Sequence, residues 1–286
     1  MAKRNIYRVR HKGDCWRHIG VFLLNLLFLC MVLFPFFWLI TASVKPDQYI
    51  ISKQLYLFPP EITWSHYKTV FAFGNLSKIF LNTVIVSLST VALSLVAIVP
   101  AAYALAILKP KGSRFFSKFI LSLQMLPGIL LVIPLYMILQ KMRLINTYWA
   151  LIISYTTFTT PFCFLLLSSY YASLPYELFE SAYLDGCTSF QSLLMIALPL
   201  TLPGMMTTAS YSFLNAWNDF LFANTFTSSA SSRTLTVEVV RLVGSWGTRW
   251  GDLAAGAAVT ILPVILVFLL ANKYIISGLT AGAVKG

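Results

Sequence analysis

The chain lacks charge. Only 10% of its 286 residues are Asp, Glu, Lys or Arg, whereas 58% are hydrophobic. That composition is too apolar for a soluble domain of this size and belongs to a polytopic membrane protein. A nucleotide cradle is missing as well. No Gly-x-x-x-x-Gly-Lys-Ser/Thr stretch occurs, so a P-loop is excluded. The only histidines are His11, His18 and His66, and neither His-Glu-x-x-His nor Gly-x-Ser-x-Gly is present. No enzyme site is legible. The four cysteines, Cys15, Cys30, Cys163 and Cys187, have neither paired nor metal-ligand spacing, which argues against a disulfide framework and a metal site. The apolar runs do not hold the acids and bases that ion-coupled carriers use as relays. Lys and Arg are absent throughout 144–232.

What the chain has instead is long uncharged runs, at 19–44, 79–108, 119–140, 144–176, 186–218 and 253–272. Each reaches the ~20 residues that a helix needs to cross ~30 Å of hydrocarbon. The expected fold is all-α and polytopic, with six transmembrane helices at roughly 19–40, 79–108, 119–140, 147–170, 197–223 and 253–273. The first run is span length and no small-residue cleavage site follows, so it reads as a span and not as a cleaved signal. Lys3, Arg4, Arg8, Arg10, Lys12 and Arg17 precede it. That bias places segment 1–18 in the cytoplasm, and six crossings return the tail 274–286 to the same side. The loop 109–118, with four basic residues, falls on that side too. A net charge of +12 would suggest nucleic acid in a soluble protein. Beside membrane spans, anionic lipid and orientation explain it, and no nucleic-acid partner is expected.

One segment breaks the charge bias. The island 173–195 holds Glu177, Glu180 and Asp185 and no basic residue. Pro175 suits a first helical position, and Glu177 suits the positive end of a helix dipole. Tyr176, Phe179, Ala182 and Tyr183 fall at helical spacing and make one greasy face. Gly186 fits the left-handed residue that ends a helix. Thr188 with Gln191 reads as a capping box for a second helix, expected to run through Pro199 into the bilayer. An acidic insert between two spans is explained better by a basic protein partner than by lipid.

The spacing Glu180-Ser181-Ala182, Gly186, Ile196-x-Leu198-Pro199 resembles the EAA loop of ABC importer permeases, with Ser181 where the family has Ala. Two further stretches are similar to carbohydrate permeases of the maltose-transporter type. These are Trp217-Asn218-Asp219-Phe220 and the tail from Lys273 to Gly286. The resemblance runs from about residue 40 to the end and implies the smaller six-span permease of a sugar importer, with a type I ABC importer transmembrane fold.

That implies an outer segment at 41–78, a permease core at 79–273 and a coupling loop at 173–195. Tyr176, Phe179, Glu180, Ser181, Ala182, Asp185 and Gly186 would meet a cytoplasmic ATPase dimer. ATP and Mg would sit on that partner, with no cofactor on this chain. A second permease subunit would complete a heterodimer, and a solute-binding protein would deliver sugar from outside a bacterial inner membrane. Asn215, Trp217, Asn218 and Asp219 are candidates for the substrate pathway or for bracing helix packing. An Asp at mid-span costs about 2.5–3.5 kcal/mol, which puts Asp219 near a helix end or a wet cavity. The loop 225–251, with Gly244, Ser245, Trp246 and Gly247, would reach toward the binding protein, though its composition alone also fits a mobile surface loop. An oligosaccharide is the expected cargo, with polysaccharide fragments, uronides and glycerophosphodiesters open. The alternative function is an ion-coupled carrier or channel.

Overall fold

The computed structural model describes residues 12–72, 75–244 and 247–283; of residues 12–17, 244, 247 and 273–283 it describes the backbone alone. Among the described residues, four helices are long and apolar enough to cross a membrane. They are α1 (Lys12–Ser43), α4 (Leu76–Tyr103, prolonged by a π-helical turn Ala104–Leu108), α7 (Tyr148–Ala172) and α14 (Trp250–Ala283). The spans expected at 119–140 and 197–223 are not straight. The first divides into α5 (Ser113–Ser122) and α6 (Gly128–Lys141), bent by 102°. Leu126, ahead of Pro127, is extended at φ −78° and ψ 118°, the conformation forced on a residue that precedes proline.

The second bent region starts with α9 (Ser189–Ser192), continues through a π turn (Leu193–Ala197) into α10 (Leu198–Leu200), and then turns by 80° into α11 (Leu202–Asn218). The helix expected to run on through Pro199 therefore stops at Thr201. Pro203 has no N–H to give to the carbonyl four residues back. Counting each bent pair as one span gives up to six among the described residues.

The core is a three-helix seam. Tyr148 meets Asn82, Ser94 meets Thr159, and Tyr103 meets Tyr171, so α4 and α7 run side by side in one direction. Tyr155 meets Asp219 and Cys163 meets Ser212, so α11 runs against them. The seam is lined by buried Ser87, Thr90, Ser94, Ser154, Thr159, Thr208 and Ser212. Small side chains let membrane helices approach closely. Several of these hydroxyls, Thr90, Ser154 and Thr159 among them, give their proton to the carbonyl one turn back, which satisfies them without a partner helix.

Beyond the seam, α14 packs on α11 and carries α1 and α3 (Ser65–Ala72) on its other sides. The smaller elements cluster at the two ends. α8 (Glu177–Leu184) lies at the end marked by Tyr103 and Tyr171. α12 (Leu221–Phe226), α13 (Leu235–Val240) and a two-residue ribbon (β1 Val243–Gly244, β2 Gly247–Thr248) lie in the chain that follows α11. α2 (Asp47–Ile50) follows α1.

Candidate functional site

The acidic island folds as a short helix clipped to the bundle by one face. Phe179 and Ala182 are buried, and Phe179 packs 6.0 Å from Tyr103, which in turn packs on Tyr171. Tyr183 is half-buried, its hydroxyl 3.4 Å from that of Tyr103. Tyr176 does not join this face. It sits ahead of the first helical turn, 48% exposed. Glu177, Glu180, Ser181, Asp185 and Gly186 are exposed. Ser181 turns its hydroxyl back onto the Glu177 carbonyl.

Gly186 has φ +83°. Its N–H donates to the Tyr183 carbonyl, and the Cys187 N–H donates to the Ala182 carbonyl. These are the two bonds of a Schellman stop, which favours glycine at the left-handed position. Two residues later Thr188 and Gln191 form a reciprocal capping box. The outward face of the clip carries three carboxylates beside Tyr176, Leu178, Phe190 and an 88%-exposed Leu184. Among the described residues, none of those carboxylates is in an ion pair.

The second group separates into two roles. Trp217 is fully buried, stacked 5.4 Å from Phe213 and edge-on to Phe80, and its Nε1 donates to the Thr260 carbonyl. It braces α11 against α14. Asn215 and Asn218 are exposed and, with Leu214 and Asp219, line an open cleft of about 370 Å³. Tyr211, one turn before Asn215, lines a neighbouring cleft of about 290 Å³ with Gln124, Thr157 and Phe162. Tyr211, Asn215 and Asn218 therefore form one polar stripe along α11. Asp219 sits just past the end of that helix. Its Oδ2 accepts the Tyr155 hydroxyl at 2.8 Å and the Ala223 N–H at 3.0 Å, which ties α7 to the start of α12.

The loop 225–251 is largely built. Asn146, in the left-handed region at φ +64°, turns its Oδ1 toward Ser228, Ser229 and Ser232. Asn82 donates to the carbonyls of Ala230 and Arg233 and accepts the Tyr148 hydroxyl. Buried Glu238 takes Arg233 at 2.8 Å and Arg241 at 3.2 Å. Gly244 pairs with Gly247 across the ribbon, while Ser245 and Trp246 lie outside the described residues.

Asn82, Asn146 and Tyr148 escape a reading by sequence alone. Their signal is an asparagine at the start of one uncharged run and an Asn-Thr-Tyr at the start of another, which hydropathy records only as tolerated polarity. A second cluster was also missed. His66 lies between Asp252, 2.8 Å from its Nδ1, and the Lys45 carbonyl, 3.0 Å from its Nε2. Both ring nitrogens thus face oxygen atoms. The Lys45 ammonium is buried over Trp38 and donates to the Tyr56 carbonyl, and burial pushes its pKa down.

A family model described as binding-protein-dependent transport system inner membrane component matches residues 95–280. The chain is 34% identical over 254 residues to the sulfoquinovosyl glycerol transport system permease protein of Agrobacterium fabrum, covering 89% of each. It is 34% identical over 274 residues to the diacetylchitobiose uptake system permease protein of Streptomyces coelicolor, covering 96% of this chain and 98% of that one. In a solved structure, a chain of a bacterial ABC transporter involved in the import of the acidic polysaccharide alginate superposes with a TM-score of 0.81 at 22% identity. The match covers 93% of this chain and 98% of that one, a likeness of fold. These matches set aside the ion-coupled carrier. The chain belongs to the family of binding-protein-dependent transport system inner membrane components, the multi-pass permease subunits of ABC transporters.

Proposed function

We propose that this permease conducts a saccharide or saccharide derivative into the cell, driven through α8 by an ATPase dimer on the cytoplasmic side. ATP and Mg reside on that dimer, and this chain holds no cofactor of its own. The observation that carries the reading is the clip at 176–186. It is anchored by Phe179 and Ala182, stopped by Gly186, and faces outward with Glu177, Glu180 and Asp185. A rigid, acidic, partly apolar knob suits a groove with basic residues on a motor subunit. Contact that tightens in one nucleotide state shifts the bundle between inward-open and outward-open arrangements, because only a differential contact can move such an equilibrium.

The saccharide assignment draws on the two relatives, both named for sugar derivatives. The stripe Tyr211, Asn215 and Asn218, with Phe162 against Tyr211 at 4.2 Å, offers stacking surface and hydrogen-bonding groups to such a cargo. Trp217 is withdrawn from that path. A second permease supplies the other wall, and a solute-binding protein loads the pathway opposite α8. With α8 facing the cytoplasm, both termini are cytoplasmic.

The test is ATP-dependent uptake by the assembled transporter. Glu180→Lys and Gly186→Val should each abolish uptake while the chain still inserts and co-assembles with its permease partner. Normal uptake in both variants removes the coupling role.

A further inference from the structure

The segment 109–122 carries a charge cluster that neither the coupling clip nor the polar stripe uses. Lys109 and Gly112 are left-handed, at φ +45° and +89°, and the turn they make leaves Lys109 and Lys111 exposed. The following helix α5 has three sides. Ser113, Ser117, Ile120 and Leu121 are half-buried toward the bundle. Arg114 and Lys118, four residues apart, are exposed along one flank.

The other flank is aromatic. Phe115, Phe116 and Phe119 are 69%, 55% and 51% exposed, with Phe115 and Phe119 stacked at 6.4 Å and 11°. Among the described residues, none of the four cations is in an ion pair. No Asp or Glu occurs in the sequence between Glu61 and Glu177.

We propose that this segment is a docking site for anionic phospholipid. Exposed phenylalanines beside unpaired cations match the two halves of such a lipid, acyl chain and headgroup. A protein groove able to take the same flank would have to bury three phenylalanines and supply carboxylates for Lys109, Lys111, Arg114 and Lys118 together. A leaflet rich in phosphatidylglycerol supplies both at every point along the segment. The site lies at the start of the bent α5–α6 region, so lipid occupancy holds the first arm of that bend in place. The proposal stands without the saccharide or coupling assignments.

The experiment uses the full chain in nanodiscs of phosphatidylcholine alone or of an equal mixture with phosphatidylglycerol. Native mass spectrometry reads which lipid the protein retains, and hydrogen–deuterium exchange reads protection over 109–122. The wild type should enrich phosphatidylglycerol and gain protection in the mixture. Arg114→Gln with Lys118→Gln should cut that preference about twenty-five-fold, since each such charge contributes about a factor of five near an anionic surface. Arg114→Lys with Lys118→Arg should keep it. So should Lys53→Gln with Lys68→Gln in the segment after α1. An unchanged preference in the glutamine pair overturns the proposal. Protection of 109–122 that comes only with an added soluble protein also overturns it and assigns the segment to a protein partner.

Discussion

Trp217 fills the space between Phe80 and Phe213 and gives its indole N–H to the Thr260 carbonyl. Truncating it to Ala should cost about 3–5 kcal/mol, because a large cavity remains where α11 meets α14. Trp217→Phe should cost on the order of 1 kcal/mol for the lost hydrogen bond. Thermal unfolding of the purified chain in detergent reads both. Neither change should act on substrate affinity separately from stability. Asn218→Ala should do the reverse and raise the KM for uptake at unchanged unfolding temperature. The contrast follows from geometry. Consecutive helical residues point ~100° apart, so Trp217 and Asn218 face the core and the cleft respectively. A stretch read as one aromatic and polar unit holds a brace and a lining residue. Sequence shows that the residues are unusual for a span, but which way each points is fixed by where α14 and α7 pack.

At the scale of elements, legibility depended on how local the cause is. The stop at Gly186 and the capping box at Thr188 each rest on a few consecutive residues, and both are present. The bends at Leu126 and Thr201 were invisible, because a hydropathy window adds up apolar residues and carries no direction. Prolines were visible at both places, yet Pro35, Pro100, Pro134, Pro161 and Pro263 sit inside helices without breaking them. Neighbouring groups in a membrane bundle re-satisfy the carbonyls that proline frees. The serine loop shows the converse: its order comes from Asn82 and Asn146, remote in sequence. The capping box can be tested by itself. Thr188→Ala should cost ~1 kcal/mol and speed amide exchange at Ser189–Ser192, with no change at Glu177–Leu184, where a separate Gly stop holds the clip. Equal loss of protection in both helices would mean that they fold as one unit.

At the scale of the molecule, α1 is the loosest part of the assembly. Its most apolar 18-residue stretch has no buried residue, burial among its described side chains being confined to Thr41, Ala42 and Ser43 at its end, and it packs chiefly on α14. What ties its end to the bundle is the cluster at His66. The imidazole bridges the Lys45 carbonyl, just past α1, to Asp252 on α14. Asp47 accepts the Gly251 N–H, and Arg249 reaches Asp252 at 2.9 Å. The fit leaves no slack, since a Cβ on Gly251 would lie 2.3 Å from the His66 ring. Removing Asp252 leaves the buried His66 Nδ1 without its hydrogen-bond partner, and an unpaired buried polar group typically costs about 1–3 kcal/mol. Asp252→Ala should therefore free α1 while the seam of α4, α7 and α11 stays protected. Hydrogen–deuterium exchange should show faster exchange across 43–50 and little change across 150–167. The double variant His66→Ala with Asp252→Ala should cost less than the two single changes added together, as contacting residues do. Strict additivity would mean that the two side chains stabilise the fold independently, and the α1 tether would have to be sought in the apolar contact between α1 and α14.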